Sequence, residues 1–187
     1  INPHGELGYE RCMRSVLRHD PQVILLGEIR DRQTAAVAIE AALTGHLILT
    51  TVHSGDPAET IVRFLEMGIP SYQLTSALTM VCSQRLLRMR CARCHGSTTK
   101  GCEACLMTSY AGRTAIAQLA ELDERVRALV LDHSSASALR VELTRQGPGL
   151  IERAKALAAG GVTDDDELAR VLGCVPFHLY KEEHLVA

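Results

Sequence analysis

Tryptophan is absent, and four Tyr and two Phe are the only aromatic residues among 187. The core must therefore rest on Leu, Val, Ile and Ala, and the stacking platforms that single-stranded nucleic acid uses are scarce. Lysine is nearly absent: only three of the 20 basic residues are Lys and the rest are Arg, the better side chain for bidentate phosphate or carboxylate contacts. A charge excess of either sign is missing, because 20 basic and 22 acidic residues leave a net −2. That argues against a polyanion binder held by bulk charge and against an acidic disordered tail, so no nucleic-acid partner is expected. No uncharged apolar run is long enough to span a bilayer. The opening INPHGELGYERC has no apolar segment of the kind a signal peptide needs. The first residue is Ile rather than Met, and the expectation is a piece of a longer protein with part of its function upstream. Internal repeats and low-complexity tracts are also lacking.

What is present fits one domain, or one domain with a small attachment, and a chain of this length buries roughly 70% of its unfolded surface. Seven cysteines make an odd count, and four of them form two C-x-x-C pairs. Without a secretory signal this reads as metal binding in a reducing compartment rather than a disulfide framework.

Along the chain, Tyr9 to His19 is helical, with Cys12, Val16 and Leu17 expected on one face and Arg11, Arg14 and Arg18 elsewhere. Asp20-Pro21 stops it. Val23 to Leu26 is continuously apolar, which predicts a strand buried on both faces, as in a parallel sheet. Asp31 can cap an Ala-rich helix over Arg32 to Leu43, with Gly45 as its stop. His46 to Val52 reads as a second buried strand, and Pro57 opens a helix to Met67. Strand, helix, strand, helix in so short a span predicts an α/β fold with a parallel sheet. Ser71 to Arg90 is expected as one long helix, and Tyr110 to Leu122 as either a strand pair or an extended connector. Asp123 to Leu172 is helical, with breaks at Ser134, Gly147-Pro148 and Gly160-Gly161. The expected division is residues 1–90, 91–122 and 123–187.

Four features can carry chemistry. Gly27-Glu28-Ile29-Arg30-Asp31 follows the first strand, at the strand end where ligands of open α/β sheets collect. Glu28 could orient or deprotonate water there, and Gly27 leaves room for a ligand. The same residues also read as a plain strand end, with Asp31 as a cap and Arg30 as a solvated charge. Thr50 to Gly55 (TTVHSG) follows the second strand. If the strands are parallel, His53 shares a rim with Glu28 and could donate to a phosphate oxygen beside the Thr and Ser hydroxyls. His46 lies seven residues from His53, roughly 20 Å along a strand and on the other face, which favours a structural role for it. Cys91, Cys94, Cys102 and Cys105, with Gly96 and Gly101 between the pairs, can supply four thiolates to a tetrahedral structural zinc. His95 is a lesser candidate for one of those positions, and Cys12, Cys82 and Cys174 read as small buried apolar residues. Last, in the run from Gln84 to Arg93, Arg85 and Arg88 are expected on one helix face, as a solvated face or as phosphate or subunit contacts.

The stretch DPQVILLGEIRDRQTAAVAIEAALTGHLILTTVHSGDPAETIVRFLEMGI resembles the secretion ATPase superfamily, the hexameric motors of type II secretion and type IV pili. GEIRD is similar to that family's Walker B box and TGHLILTTVHS to its His box. The four-cysteine segment with GCEACLMTSYAGRTAI resembles the zinc element of the secretion and pilus-assembly branch. The resemblance spans roughly residues 2–172. It implies a RecA-like P-loop NTPase core, of which this chain is the C-terminal half, with a tetracysteine zinc element and a helical C-terminal part. It further implies Glu28 and His53 as catalytic residues, Gly27, Arg30, Thr51 and His46 near nucleotide, and the four cysteines as zinc ligands. ATP, Mg²⁺ and Zn²⁺ follow as cofactors, with a homo-hexamer docked on inner-membrane platform proteins at the cytoplasmic face. No G-x-x-x-x-G-K-[ST] loop occurs in the 187 residues, so the chain alone should bind ATP poorly. The seven-residue spacer between the cysteine pairs is shorter than the family pattern. The competing reading is a non-catalytic truncated module that docks secretion-platform partners through the zinc element.

Overall fold

The computed structural model describes residues 9–95 and 101–173; the expectations for Gly96, Cys174 and the tail beyond it lie outside them. The described residues form two compact units. One joins the chain up to Cys82 with Leu119–Gln146, and the other joins Ser83–Gln118 with the chain from Gly147 onward.

In the first unit, α1 (Tyr9–Val16) runs into a 3₁₀ turn over Leu17–His19, and Asp20 ends it in the left-handed conformation. Among the described side chains of α1, Met13 is buried, with Leu17 half-buried four residues on and Val16 exposed. The packed stripe is therefore set by Met13 and Leu17, at the i,i+4 spacing that shares a helix face, rather than by Cys12, Val16 and Leu17. β1 (Val23–Leu26) pairs in parallel with β2 (Leu47–Thr50), from Val23 opposite Leu47 to Leu26 opposite Thr50. The crossover is α2 (Arg32–Leu43), capped by Asp31, whose Oδ1 accepts from the Thr34 N–H at 2.8 Å. Gly45 follows the helix at φ 99°, a left-handed turn that Gly takes without steric cost.

The strands depart from expectation in one respect. Ile24 and Leu26 are buried, whereas Val23, Leu25, Leu47 and Leu49 point outward, Leu25 being 80% exposed. A continuously apolar run marks two apolar faces, and within the described residues only one is covered. α3 (Pro57–Glu66) starts on an Asp56 cap and ends in a Schellman turn at Gly68 (φ 82°). There the Ile69 N–H donates to Phe64 O at 3.1 Å and the Gly68 N–H to Leu65 O at 2.9 Å.

Ser71 to Arg90 is not one helix. α4 (Ser71–Ala77) stops after two turns, Leu78 is already extended, and β3 runs from Met80 to Arg90. β4 (Tyr110–Glu121) pairs with it. The Leu122 N–H donates to Thr79 O at one end and the Cys91 N–H to Ser109 O at the other, so the ribbon is antiparallel and closes at the cysteine segment. Of the two readings for Tyr110 to Leu122, it is strand. Arg85 and Arg88, three apart on a strand, face opposite sides rather than sharing a helix face. Strand alternation likewise leaves Cys82 exposed, and Cys12 is half-buried, so neither is a buried apolar residue. α5 (Glu124–Leu131) and α6 (Ala136–Thr144) complete the first unit, around a core that includes Ile61, Leu74, Val126 and Leu139. Each fully buried side chain of this size contributes about 1.5–3 kcal/mol. No helix among the described residues is long and apolar enough to cross a membrane.

The second unit packs α7 (Leu150–Ala159) and α8 (Asp165–Leu172) with the ribbon around Leu87, Ile116, Leu150, Ala154 and Leu168. Its apolar core is small, and an ionic lock supplements it. Glu167 is fully buried. Its carboxylate accepts from the Arg88 backbone N–H (2.8 Å), from Arg88 Nε (2.8 Å) and from Arg170 Nε and Nη2 (2.7 and 2.6 Å). Arg88 also lies 4.1 Å over the Tyr110 ring, and the Tyr110 hydroxyl donates to Asp164, the cap of α8, at 2.7 Å. Burial by itself would raise the pKa of Glu167, but the hydrogen bonds from Arg170 and Arg88 outweigh it and bring it to about 2.

A carboxylate lowered in the folded state stabilises fully above its ordinary value of 4.5, and that contribution fades as pH falls toward 2. Glu167→Ala should cost about 1–3 kcal/mol at neutral pH, because it leaves the Arg88 backbone N–H without its acceptor. The variant should also lose part of the decline in melting temperature between pH 4.5 and 2 that the unaltered chain shows. Calorimetry of both chains across that range is the measurement, and an unchanged neutral stability would refute the lock.

Candidate active site and metal centre

The parallel register of β1 and β2 ends both strands on one side, so the residues that follow each strand meet there. Three contacts fix the meeting. The Ile29 N–H donates to Thr51 O at 3.0 Å, the Thr51 hydroxyl donates to Gly27 O at 2.8 Å, and Ile29 is buried beneath. Glu28, held between Gly27 and Ile29, then lies with Oε2 2.9 Å from His53 Nε2. Glu28 is mostly shielded, at 21% exposure, whereas His53 is 79% exposed. Arg30 also contacts the Glu28 carboxylate. Its hydrogen bond holds Glu28 below the ordinary carboxylate range, against the opposing effect of partial burial, and the His53 side acts in the same direction. Glu28 is thus an ionised acceptor at neutral pH, beside an imidazole and an open rim.

Of the other residues expected near this rim, Gly27 and Thr51 are built into it and Arg30 reaches it through Glu28. His46 is engaged elsewhere: Nδ1 lies 3.0 Å from Ala41 O and 3.2 Å from Thr44 Oγ1, at the end of α2.

Beyond His53 the backbone enters α3 through Ser54 and Gly55, whose partners Thr60 and Glu59, with Asp56 and Arg140, are not among the residues singled out from the sequence. The Ser54 hydroxyl is 2.5 Å from Thr60 Oγ1, and the Gly55 N–H donates to Glu59 Oε2 at 2.9 Å. Asp56 Oδ1 caps the Glu59 N–H at 2.8 Å. Arg140, on α6, donates from Nε to Asp56 Oδ2 (2.5 Å) and from Nη2 to Glu59 Oε1 (2.6 Å). The Asp56–Glu59 spacing is a capping signature that sequence could have flagged. Nothing local to Arg140 marks it.

The four cysteine sulfurs converge within 4.8 Å of one another. Cys91 and Cys102 are 3.9 Å apart, Cys94 and Cys105 3.9 Å, and Cys102 and Cys105 3.8 Å. Four thiolates about 2.3 Å from a central zinc stand about 3.8 Å apart at the corners of a tetrahedron, so the donor set fits that ion. Cys91 and Cys105 are buried. The backbone N–H of Cys102 donates to Cys105 Sγ at 3.1 Å and lowers its pKa to about 6; the backbone at Cys94 lowers Cys91 in the same way. Both shifts favour the thiolates a metal requires. Gly101 sits at φ 67° inside this knuckle, where an added Cβ would lie 2.7 Å from backbone atoms of Met107 and Ser109 and 2.9 Å from Cys105 Sγ. His95 is outside the converging group.

A family model described as "Type II/IV secretion system protein" matches residues 1–170. Type II secretion system protein HxcR of Pseudomonas aeruginosa is 36% identical over 177 residues, covering 91% of this chain and 38% of its own length. The type IV pilus assembly ATPase PilB of Thermus thermophilus is 36% identical over 198 residues, covering 92% of this chain and 22% of its own. The structure of the Yersinia pseudotuberculosis ATPase DotB matches with a TM-score of 0.71 at 23% identity, over 91% of this chain and 42% of that one, a likeness that concerns the fold. The chain spans less than half the length of each of these proteins. With one family model matching nearly all of it, the chain belongs to the type II/IV secretion system protein family.

Proposed function

We propose that this chain is the C-terminal half of a RecA-like ATPase core in a motor for type II secretion or type IV pilus assembly. The observation that carries the reading is the Glu28–His53 pair, 2.9 Å apart at the strand-end rim of a parallel sheet. In this reading the γ-phosphate of ATP lies over the rim, Glu28 accepts a hydrogen bond from the attacking water and holds it in line, and exposed His53 donates to a phosphate oxygen. Gly27 lets the phosphate approach the backbone, while Thr51 keeps the two loops together. Arg30 holds the carboxylate ionised. His46, bound to Ala41 O and Thr44 Oγ1 at the C-terminal end of α2, takes a structural role in this reading. The rim's one carboxylate and its threonine hydroxyls suit a Mg²⁺ that keeps most of its waters, which when bound with the nucleotide would neutralise charge on the β- and γ-oxygens. The phosphate cradle and its lysine would come from residues upstream of Ile1.

The tetracysteine knuckle is a structural site in this reading, since four thiolates leave no open position for water. The working assembly would be a homo-hexamer at the cytoplasmic face of the inner membrane, bound to platform proteins of a secretion or pilus machine. The names of HxcR and PilB support the machine class.

In the full-length protein carrying the phosphate loop, Glu28→Gln should lower kcat for ATP hydrolysis by about 10²–10⁴-fold with ATP binding retained. A coupled phosphate-release assay with a parallel nucleotide titration checks this, and an unaltered rate would sink the catalytic assignment. Elemental analysis of the purified chain should find one zinc per chain. Chelation, or Cys94→Ser, should lower the melting temperature, because the metal replaces apolar core in so short a loop. A metal-free chain with unchanged stability would remove the zinc element.

A further inference from the structure

His53 sits on the short link between β2 and α3, and both ends of that link are tied down. On the strand side, Thr51 is bound to Gly27 and Ile29. On the helix side, Ser54 meets Thr60, the Gly55 N–H meets Glu59, and Asp56 caps α3. Two of these three ties are made by carboxylates, each used the same way. One oxygen takes a backbone N–H of the link or of the first turn; the other takes the guanidinium of Arg140. Arg140 is 84 residues from Asp56 and 81 from Glu59, so this grip is tertiary. Gly55 belongs to the same arrangement, because a Cβ there would run into Glu59 Oε2. The ion pairs are partly exposed, with Arg140 at 44% and Glu59 at 48%, and such pairs add little to stability. What a two-toothed guanidinium contact supplies is orientation. Without it, two neighbouring carboxylates repel and the Glu59 tie to the Gly55 N–H weakens, which leaves the helix side of the link to the Ser54–Thr60 contact and the Asp56 cap.

We propose that Arg140 is a positioning residue for His53, coupling α6 to the link that carries the imidazole; the proposal rests on the reading of Glu28 and His53 as the hydrolytic pair. In that pair, the distance between imidazole and carboxylate sets where water and phosphate meet, and a displacement near 1 Å is enough to slow the chemistry.

The test compares Arg140→Ala, Arg140→Lys and Glu28→Gln in the full-length ATPase, with amide exchange on the present chain. Arg140→Ala should lower kcat by about 10–100-fold with little change in KM for ATP. Its melting temperature should stay within about 3 °C of the unaltered protein. Arg140→Lys should recover part of the rate, since the ammonium keeps the charge but lacks the planar fork that meets both carboxylates in one geometry. Exchange at the Gly55 and Glu59 amides should rise in the Ala variant. Unaltered kcat in Arg140→Ala, with Glu28→Gln inactive, overturns the role of Arg140 alone. An active Glu28→Gln overturns the hydrolytic reading beneath it. A fall in melting temperature that accounts for the lost activity, or failure of the Ala and Lys variants to fold, makes Arg140 structural and also overturns the proposal.

Discussion

Four residues of β1 lie alongside four of β2 in parallel, and the meeting of Glu28 with His53 depends on that pairing. Were the strands antiparallel, Glu28 and His53 would leave the sheet in opposite directions. Parallel pairing requires a long crossover, which α2 supplies, and a stop and start at each end of it. Asp31 and Gly45 provide them. The Thr51 contacts to Gly27 and Ile29 then extend the register beyond the strands, so that a carboxylate and an imidazole some 25 residues apart in sequence share one rim.

The second unit solves a different problem. Its buried apolar residues are few, and two other devices hold its chain. The cysteine knuckle closes the end of the β3–β4 ribbon, with sulfurs spaced for a tetrahedral ion. Glu167 joins α8 to β3 through Arg88, and Thr163 and Val162 add bonds to the same strand, from the Thr163 hydroxyl to Arg88 O and from the Arg90 N–H to Val162 O. Both devices replace non-directional burial with contacts of fixed geometry. A small unit can fold to one structure by such means where apolar area alone is marginal.

Much of this was legible in the residues. The continuous apolar runs, the Asp and Pro at helix starts and the glycines at their ends located β1, α2 and α3 almost to the residue and β2 to within two residues at either end, because each rests on local backbone chemistry. The cysteine spacing located the knuckle for the same reason. β3 was hidden because its inward face carries Ser83 and Arg85 among Val81 and Leu87, which breaks the apolar alternation by which strands are recognised, while the spacing of Arg85 and Arg88 imitates a helix face. β4 is rich in Ala, a poor strand marker. The outward apolar face of β1 and β2 could not be foreseen either, since an apolar residue does not record whether anything lies over it. Arg140 and the Glu167 lock were invisible because each joins residues about 80 positions apart, and a single sequence carries no signal at that range.

The Glu167 lock has a handedness that constrains change in this unit. Ordinary ion pairs can be inverted, acid for base and base for acid, with the attraction kept. This one cannot, since the carboxylate also receives the backbone amide of residue 88, a group that only donates. A guanidinium at 167 would face that amide with nothing to offer it, and would meet Arg170 as a like charge. The site therefore admits substitution at either end only as loss, which makes the acid at 167 and the base at 88 a fixed orientation in any variant that keeps α8 against the ribbon.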